Sequence, residues 1–223
     1  KKILFFIIFI AGVFLFFGEV DAQTTPPPSG RIYWVSPQGS DANPCMSIVT
    51  PQTTGAKKTI NGGLSCLSAG DTLYIRAGTY DENITGGTIP GGMANARTIV
   101  AGYQNENPII QPSFDEVGVG YPIITNYGAS QPYITFQDFT IDVINMPVSP
   151  AGTEGISSHC VYLGGNFNTW LRVTCLNASR DAVVAIADTG ITIKDCLMRD
   201  CGRVEWSKPS TKVGGVHINW GTN

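Results

Sequence analysis

The sequence predicts an all-β chain wound as a β-solenoid, with a short capping helix near its N-terminus. Three observations carry that reading. The composition is turn-rich and charge-poor, with 26 Gly and 14 Pro in 223 residues and only 14% charged side chains, where a globular chain has about 25%. Short β-prone runs recur between Gly, Pro and Asn turns, and no stretch after Leu67 keeps a helical period. An inexact apolar repeat then selects a solenoid over a sandwich or a barrel.

Lys1 and Lys2 precede a 15-residue apolar run from Ile3 to Phe17, short for a hydrocarbon core of about 30 Å. The basic start, the brief apolar stretch and the small residue in Val20-Asp21-Ala22 define a signal peptide over residues 1–22, cut after Ala22. The competing reading is an uncleaved membrane anchor. Residues 23–30, QTTPPPSG, form a Pro-rich linker that stays extended and solvated. The protein is therefore expected to be secreted, with no membrane contact once the signal is removed. Because the chain starts at Lys1 and stops at Asn223 within a strand-like pattern, it reads as the N-terminal fragment of a longer frame. A net charge of −3 without Lys/Arg clusters excludes a nucleic-acid partner.

Residues 31–131 read as the cap and first coils. Ile32 to Val35 is an apolar strand. Thr59 to Leu67 is the helix, because Ile60, Leu64 and Leu67 fall on one face; Gly62 and Gly63 weaken it. Thr72 to Arg76 alternates as a strand after the Ala69-Gly70-Asp71 turn. Further strands are expected at Thr98–Ala101, Pro108–Gln111, Pro122–Thr125 and Tyr133–Asp142.

Six cysteines follow the signal: Cys45, Cys66, Cys160, Cys175, Cys196 and Cys201. An even number in an exported chain points to disulfides. Their connectivity stays open, although Cys45 and Cys66 flank one short segment and pair first. The nearest spacing, Cys196 to Cys201, does not suit zinc. Asn83-Ile84-Thr85 and Asn177-Ala178-Ser179 have the form of glycosylation sequons.

Residues 132–223 carry the repeat. Segments starting at Ile134, Leu171 and Ile191 each place apolar residues at relative positions 1, 3, 6 and 8. The change of phase between 3 and 6 marks a strand, a corner and a second strand. The starts lie 37 and 20 residues apart, so a loop over Asn145 to Ser158 is expected between the first two. A second set, Val161-Tyr-Leu163, Val183-Val-Ala185 and Val216-His-Ile218, has its outer positions facing in and its middle residue facing out.

Tyr33 to Asp41 (YWVSPQGSD), Thr59-Ile60 and Ala69 to Tyr80 (AGDTLYIRAGTY) resemble the opening of secreted right-handed parallel β-helix proteins of the pectate-lyase-like superfamily. Gly190 to Cys196 (GITIKDC) resembles their coil repeat. The resemblance runs from about Ile32 to the end. It implies a right-handed parallel β-helix whose open N-terminal end is closed by a short helix, here Ile60 to Leu67. For function it implies an acidic polysaccharide as partner and a polysaccharide lyase cleaving uronate chains by β-elimination. The alternative is a non-catalytic glycan-binding or adhesive solenoid.

A uronate lyase must neutralise the sugar carboxylate, remove the C5 proton and expel the C4 oxygen. Calcium held by carboxylates, or Arg and Lys, does the first; a Lys, Arg, His or Tyr does the second. On that logic Asp181, Asp195 and Asp200 are the candidate Ca²⁺ or positioning residues. Lys194, Arg180 and His217 are the candidate base or carboxylate clamp. Tyr162, Trp220 and Arg199 are candidate substrate contacts. The bland alternative is that these are ordinary turn and solvent-face residues. Trp170 is expected to pack, and His159 to be a turn residue. Three family signatures are missing: the Asp pair with Gly-His-Gly of polygalacturonases, and the Arg-x-Pro-x-x-Arg and Trp-Ile-Asp-His-like runs of well-known pectate lyases.

Overall fold

The computed structural model describes residues 30–85, 89–113, 124–125, 131–145, 159–179, 182–186, 189–201 and 216–219. In chain order its elements begin with β1 (Ile32–Val35), α1 (Ile60–Leu64), β2 (Thr72–Ile75), β3 (Thr79–Tyr80) and β4 (Ile84–Thr85). Next come β5 (Thr98–Gly102), β6 (Ile109–Ile110), β7 (Ile124–Thr125), β8 (Ile134–Gln137), β9 (Thr140–Asp142) and β10 (Val161–Leu163). The remainder are β11 (Thr169–Leu171), β12 (Thr174–Leu176), β13 (Val183–Ile186), β14 (Thr192–Lys194), β15 (Leu197–Arg199) and β16 (Val216–Asn219).

These strands make three sheets, ordered β1-β2-β5-β8-β11-β14, β3-β6-β9-β12-β15 and β4-β7-β10-β13-β16. Every strand pairing within them is parallel. From β2 onward the chain visits the first, second and third sheet in rotation. That order is consistent with a parallel β-solenoid, in which each circuit adds one strand per sheet.

Register stacks like on like. Tyr33, Leu73, Val100, Phe136, Trp170 and Ile193 form one inward column of the first sheet. Tyr80, Ile110, Ile141, Cys175 and Met198 do so in the second sheet. Buried members of all three sheets share one apolar core. Its centre is aromatic: the Phe136 and Trp170 rings stack at 4.4 Å, and Phe139 meets Trp170 edge-on at 6.3 Å. Trp170 is therefore a packing residue, as the sequence suggests.

The repeat holds, with one correction. Phe136 pairs with Trp170, 34 positions on, and Trp170 pairs with Ile193, 23 positions on. The middle copy thus begins at Asn168, not Leu171, and the expected spacings of 37 and 20 are each off by three. The cause is chemical. Asn168 occupies an inward position with 0% exposure, and an apolar template skips it. Its Oδ1 accepts the Ile134 N–H at 2.8 Å, and its Nδ2 donates to Gly164 O at 2.8 Å and Gln131 O at 3.2 Å. A fully bonded amide is tolerated inside a core. The expected loop falls between β9 and β10, and residues 146–158 of it lie outside the described residues.

Corners are made by single residues with left-handed backbone. Asp138 (φ 61°), Arg172 (φ 52°) and Asp195 (φ 55°) turn the chain from the first sheet to the second. Asn177 (φ 62°) and Asp200 (φ 57°) turn it again after β12 and β15. Asn and Asp tolerate this region best. The Tyr133–Asp142 run accordingly breaks at Asp138 into β8 and β9.

At the N-terminal end α1 lays Ile60 and Leu64 across the core. It is shorter than the sequence suggests. Gly63 is needed there, because a Cβ would run into Val35 Cγ2 and lie 2.8 Å from Leu73 Cδ1. The helix's N–H groups are met from afar. Glu82 accepts from Ile60 at 2.6 Å and Asn61 at 2.9 Å, and Thr59 Oγ1 accepts from Gly62 at 2.9 Å. The Cys45–Cys66 disulfide ties this cap as expected. A second disulfide joins Cys160, before β10, to Cys175 in β12. Cys196 and Cys201 carry thiols. Among the described residues no helix is long and apolar enough to cross a membrane.

Candidate functional site

Four of the candidate residues, Lys194, Asp195, Arg199 and Asp200, fall at two successive corners. Lys194 ends β14 in the outward column that holds Ala101, Gln137 and Leu171. Its Nζ lies 3.9 Å from Asp195 Oδ2, and both side chains are well exposed. Arg199 ends β15 with its Nε 3.1 Å from Asp200 Oδ2, again in the open. The left-handed corner sets both pairs: the strand's last residue points out, and the corner carboxylate lies beside it.

Tyr162, Val184 and His217 align as one register column of the third sheet, as the repeat predicts. Thr125 continues that column one circuit earlier. Arg180, Asp181 and Trp220 lie outside the described residues. Asp195 and Asp200 belong to different corners. Among the described residues no three His, Cys, Asp or Glu side chains gather to hold a metal. His159, expected as a turn residue, is buried, at 2% exposure.

A second cluster has no local signal in the sequence. A tight turn closed by hydrogen bonds between Met93 and Ala96 delivers Arg97 to the start of β5. From there the side chain crosses to later circuits. Nε donates to Thr135 Oγ1 at 2.7 Å. Nη2 donates to Phe167 O at 2.6 Å, Ile134 O at 2.9 Å and Thr169 Oγ1 at 3.0 Å. The guanidinium lies 5.8 Å from the centre of the Tyr133 ring. Tyr133 in turn stacks on Phe167, centroids 5.0 Å apart and planes 11° from parallel. Both aromatic residues are left-handed corner residues entering the first sheet, with φ 57° and 60°. Gly190 follows them at φ +71°, against the Cδ1–Cε1 edge of Phe167.

Arg97 differs from its neighbours in what it faces. Arg76 grips Glu106 through Nε at 2.9 and 2.8 Å, and Arg172 grips Asp138 through Nε and Nη2 at 2.6 and 2.7 Å. These carboxylates raise both guanidinium pKa values. Arg97 faces four neutral oxygens, and burial lowers its pKa from the ordinary value, with Tyr133 opposing. The partners of Arg97 lie 37 to 72 positions away, so nothing near it in sequence could announce the cluster.

Comparison with solved structures finds a relative of the fold. A structure described as a rhamnogalacturonan lyase matches with a TM-score of 0.52 at 14% identity. The match covers 86% of this chain and 63% of that one. At this identity the likeness speaks for the fold alone. No family model matches the chain, and no curated protein does.

Proposed function

We propose that this protein is a secreted right-handed parallel β-helix of the pectate-lyase-like superfamily that acts on an acidic polysaccharide. The observation that carries the reading is the rotation of the chain through three parallel sheets, together with the likeness to a rhamnogalacturonan lyase. The two disulfides fit an oxidising compartment.

The first reading is β-elimination of a uronate chain. A base takes the C5 proton, the C4–O bond breaks, and a C4–C5 double bond remains in the product. Lys194, Arg180 and His217 are the proposed base and carboxylate clamp, and Tyr162, Trp220 and Arg199 the substrate contacts. Calcium would need a third carboxylate, the role proposed for Asp181. Asp195 and Asp200, each with a cation beside it, do not make a calcium site alone.

The second reading is glycan binding without cleavage. It is favoured by the open setting of Lys194 and Arg199, whose side chains are 68% and 63% exposed. Groups in water attract substrate charge but are not desolvated for proton abstraction. The test is incubation of the secreted chain with polyuronates, following the ultraviolet absorbance of unsaturated ends and retention on immobilised polysaccharide. Absorbance growth that falls on Lys194→Ala or His217→Ala supports the lyase. Retention without product supports binding alone. Neither signal, on any acidic polysaccharide, overturns both.

A further inference from the structure

We propose that Arg97, Tyr133 and Phe167 form a binding site for one acidic sugar unit, the guanidinium taking its carboxylate and the Phe167 ring taking a C–H face. This rests on the polysaccharide reading above, but its residues are separate from those assigned there.

Three features converge. First, Arg97 is half-buried and its bonded partners are all neutral oxygens, leaving Nη1 without a hydrogen bond among the described residues. A partly desolvated guanidinium with no counter-charge gains more from an incoming carboxylate than one already paired. Second, an aromatic pair adjoins that cation: the guanidinium lies 5.8 Å from the Tyr133 ring centre, and Phe167 stacks on Tyr133 and is still 40% exposed. Sugars present apolar C–H faces that such rings accept, and a ring edge beside a cation suits a unit with one charged corner. Third, the cluster is rigid. Arg97 is anchored on two later circuits at once, and the ring-bearing residues are fixed in left-handed corners. A preorganised site loses little conformational freedom on binding. The exposed Met93, at the turn leading into Arg97, adds apolar surface on the same segment.

The alternative is that Arg97 only stitches neighbouring circuits. Affinity electrophoresis of the full chain through gels holding polygalacturonate, or a neutral glucan, separates the two. The wild type should be retarded by the polyuronate and not by the glucan. Arg97→Gln and Phe167→Leu should each weaken retardation about tenfold, and Arg31→Gln, an exposed cation elsewhere, should not. Phe167→Leu keeps apolar bulk and the backbone carbonyl that Arg97 uses, so it reports on the ring even where Arg97→Gln unfolds. Circular dichroism and Tm check the fold of each. If both variants fold and bind as the wild type does, the site is overturned while the polysaccharide reading stands. If the wild type is not retarded by any polysaccharide, both fall.

Discussion

The first and last described circuits carry the same inward pattern and differ in what lies against it. At the N-terminal end Val35, Leu73 and Ile75 are 0% exposed, because α1 sets Ile60 and Leu64 over them and Cys45–Cys66 holds the segment down. In the last described circuit Ile193, Cys196 and Met198 occupy the corresponding inward columns and are half-buried. With Trp170, Val173 and Val183 they line an apolar recess. Burial of these inward columns thus depends on what packs against them as well as on the residue.

The largest test of that contrast is a matched pair of truncations. Leu64→Ala, on the buried face of the cap helix, should cost about 2–5 kcal/mol. Met198→Ala, half in water, should cost about 1 kcal/mol. Denaturant unfolding measures both, and equal losses would break the comparison. Next comes the cap's covalent tie. The Cys45–Cys66 bridge spans 21 positions, and removing it by Cys45→Ser with Cys66→Ser should cost about 3 kcal/mol, seen as a lower midpoint.

The smallest effect is electrostatic and has a pH signature. Near the cap, the Arg76 guanidinium holds the Glu106 carboxyl below its ordinary value, helped by the Ala77 N–H. A lowered folded pKa stabilises above the unfolded pKa of about 4.3 and is lost as pH falls through the folded value. The stability gap between wild type and Glu106→Gln should therefore be full near neutral pH and close as pH drops below about 4. Asp200→Asn, in the exposed pair of the last described circuit, should change stability by about 0–0.5 kcal/mol near neutral pH. Chemical denaturation across the pH series reads both.

Much of the architecture is legible in the residues, and the limits of that legibility are specific. Alternation marks β2, and short β-prone apolar runs between turns mark β1 and β5. The Val161, Val183 and Val216 copies align in register as the sequence suggests. The middle copy of the other set slipped because Asn168 is polar in sequence and satisfied only by Ile134, Gly164 and Gln131 in space. The Lys194–Asp195 and Arg199–Asp200 pairs could be named because their partners are adjacent. The second disulfide, the remote cap by Glu82 and the Arg97 cluster could not.

The sequence by itself determined the succession of short strands and turns in this protein, since β-prone runs and the Gly, Pro and Asn residues between them are local chemistry. Only the tertiary structure decided which residues meet across circuits: Cys160 with Cys175, Glu82 with α1, Arg97 with Thr135 and Phe167. Winding brings together residues whose separation in sequence varies with every loop, and no local pattern records how far apart two circuits begin.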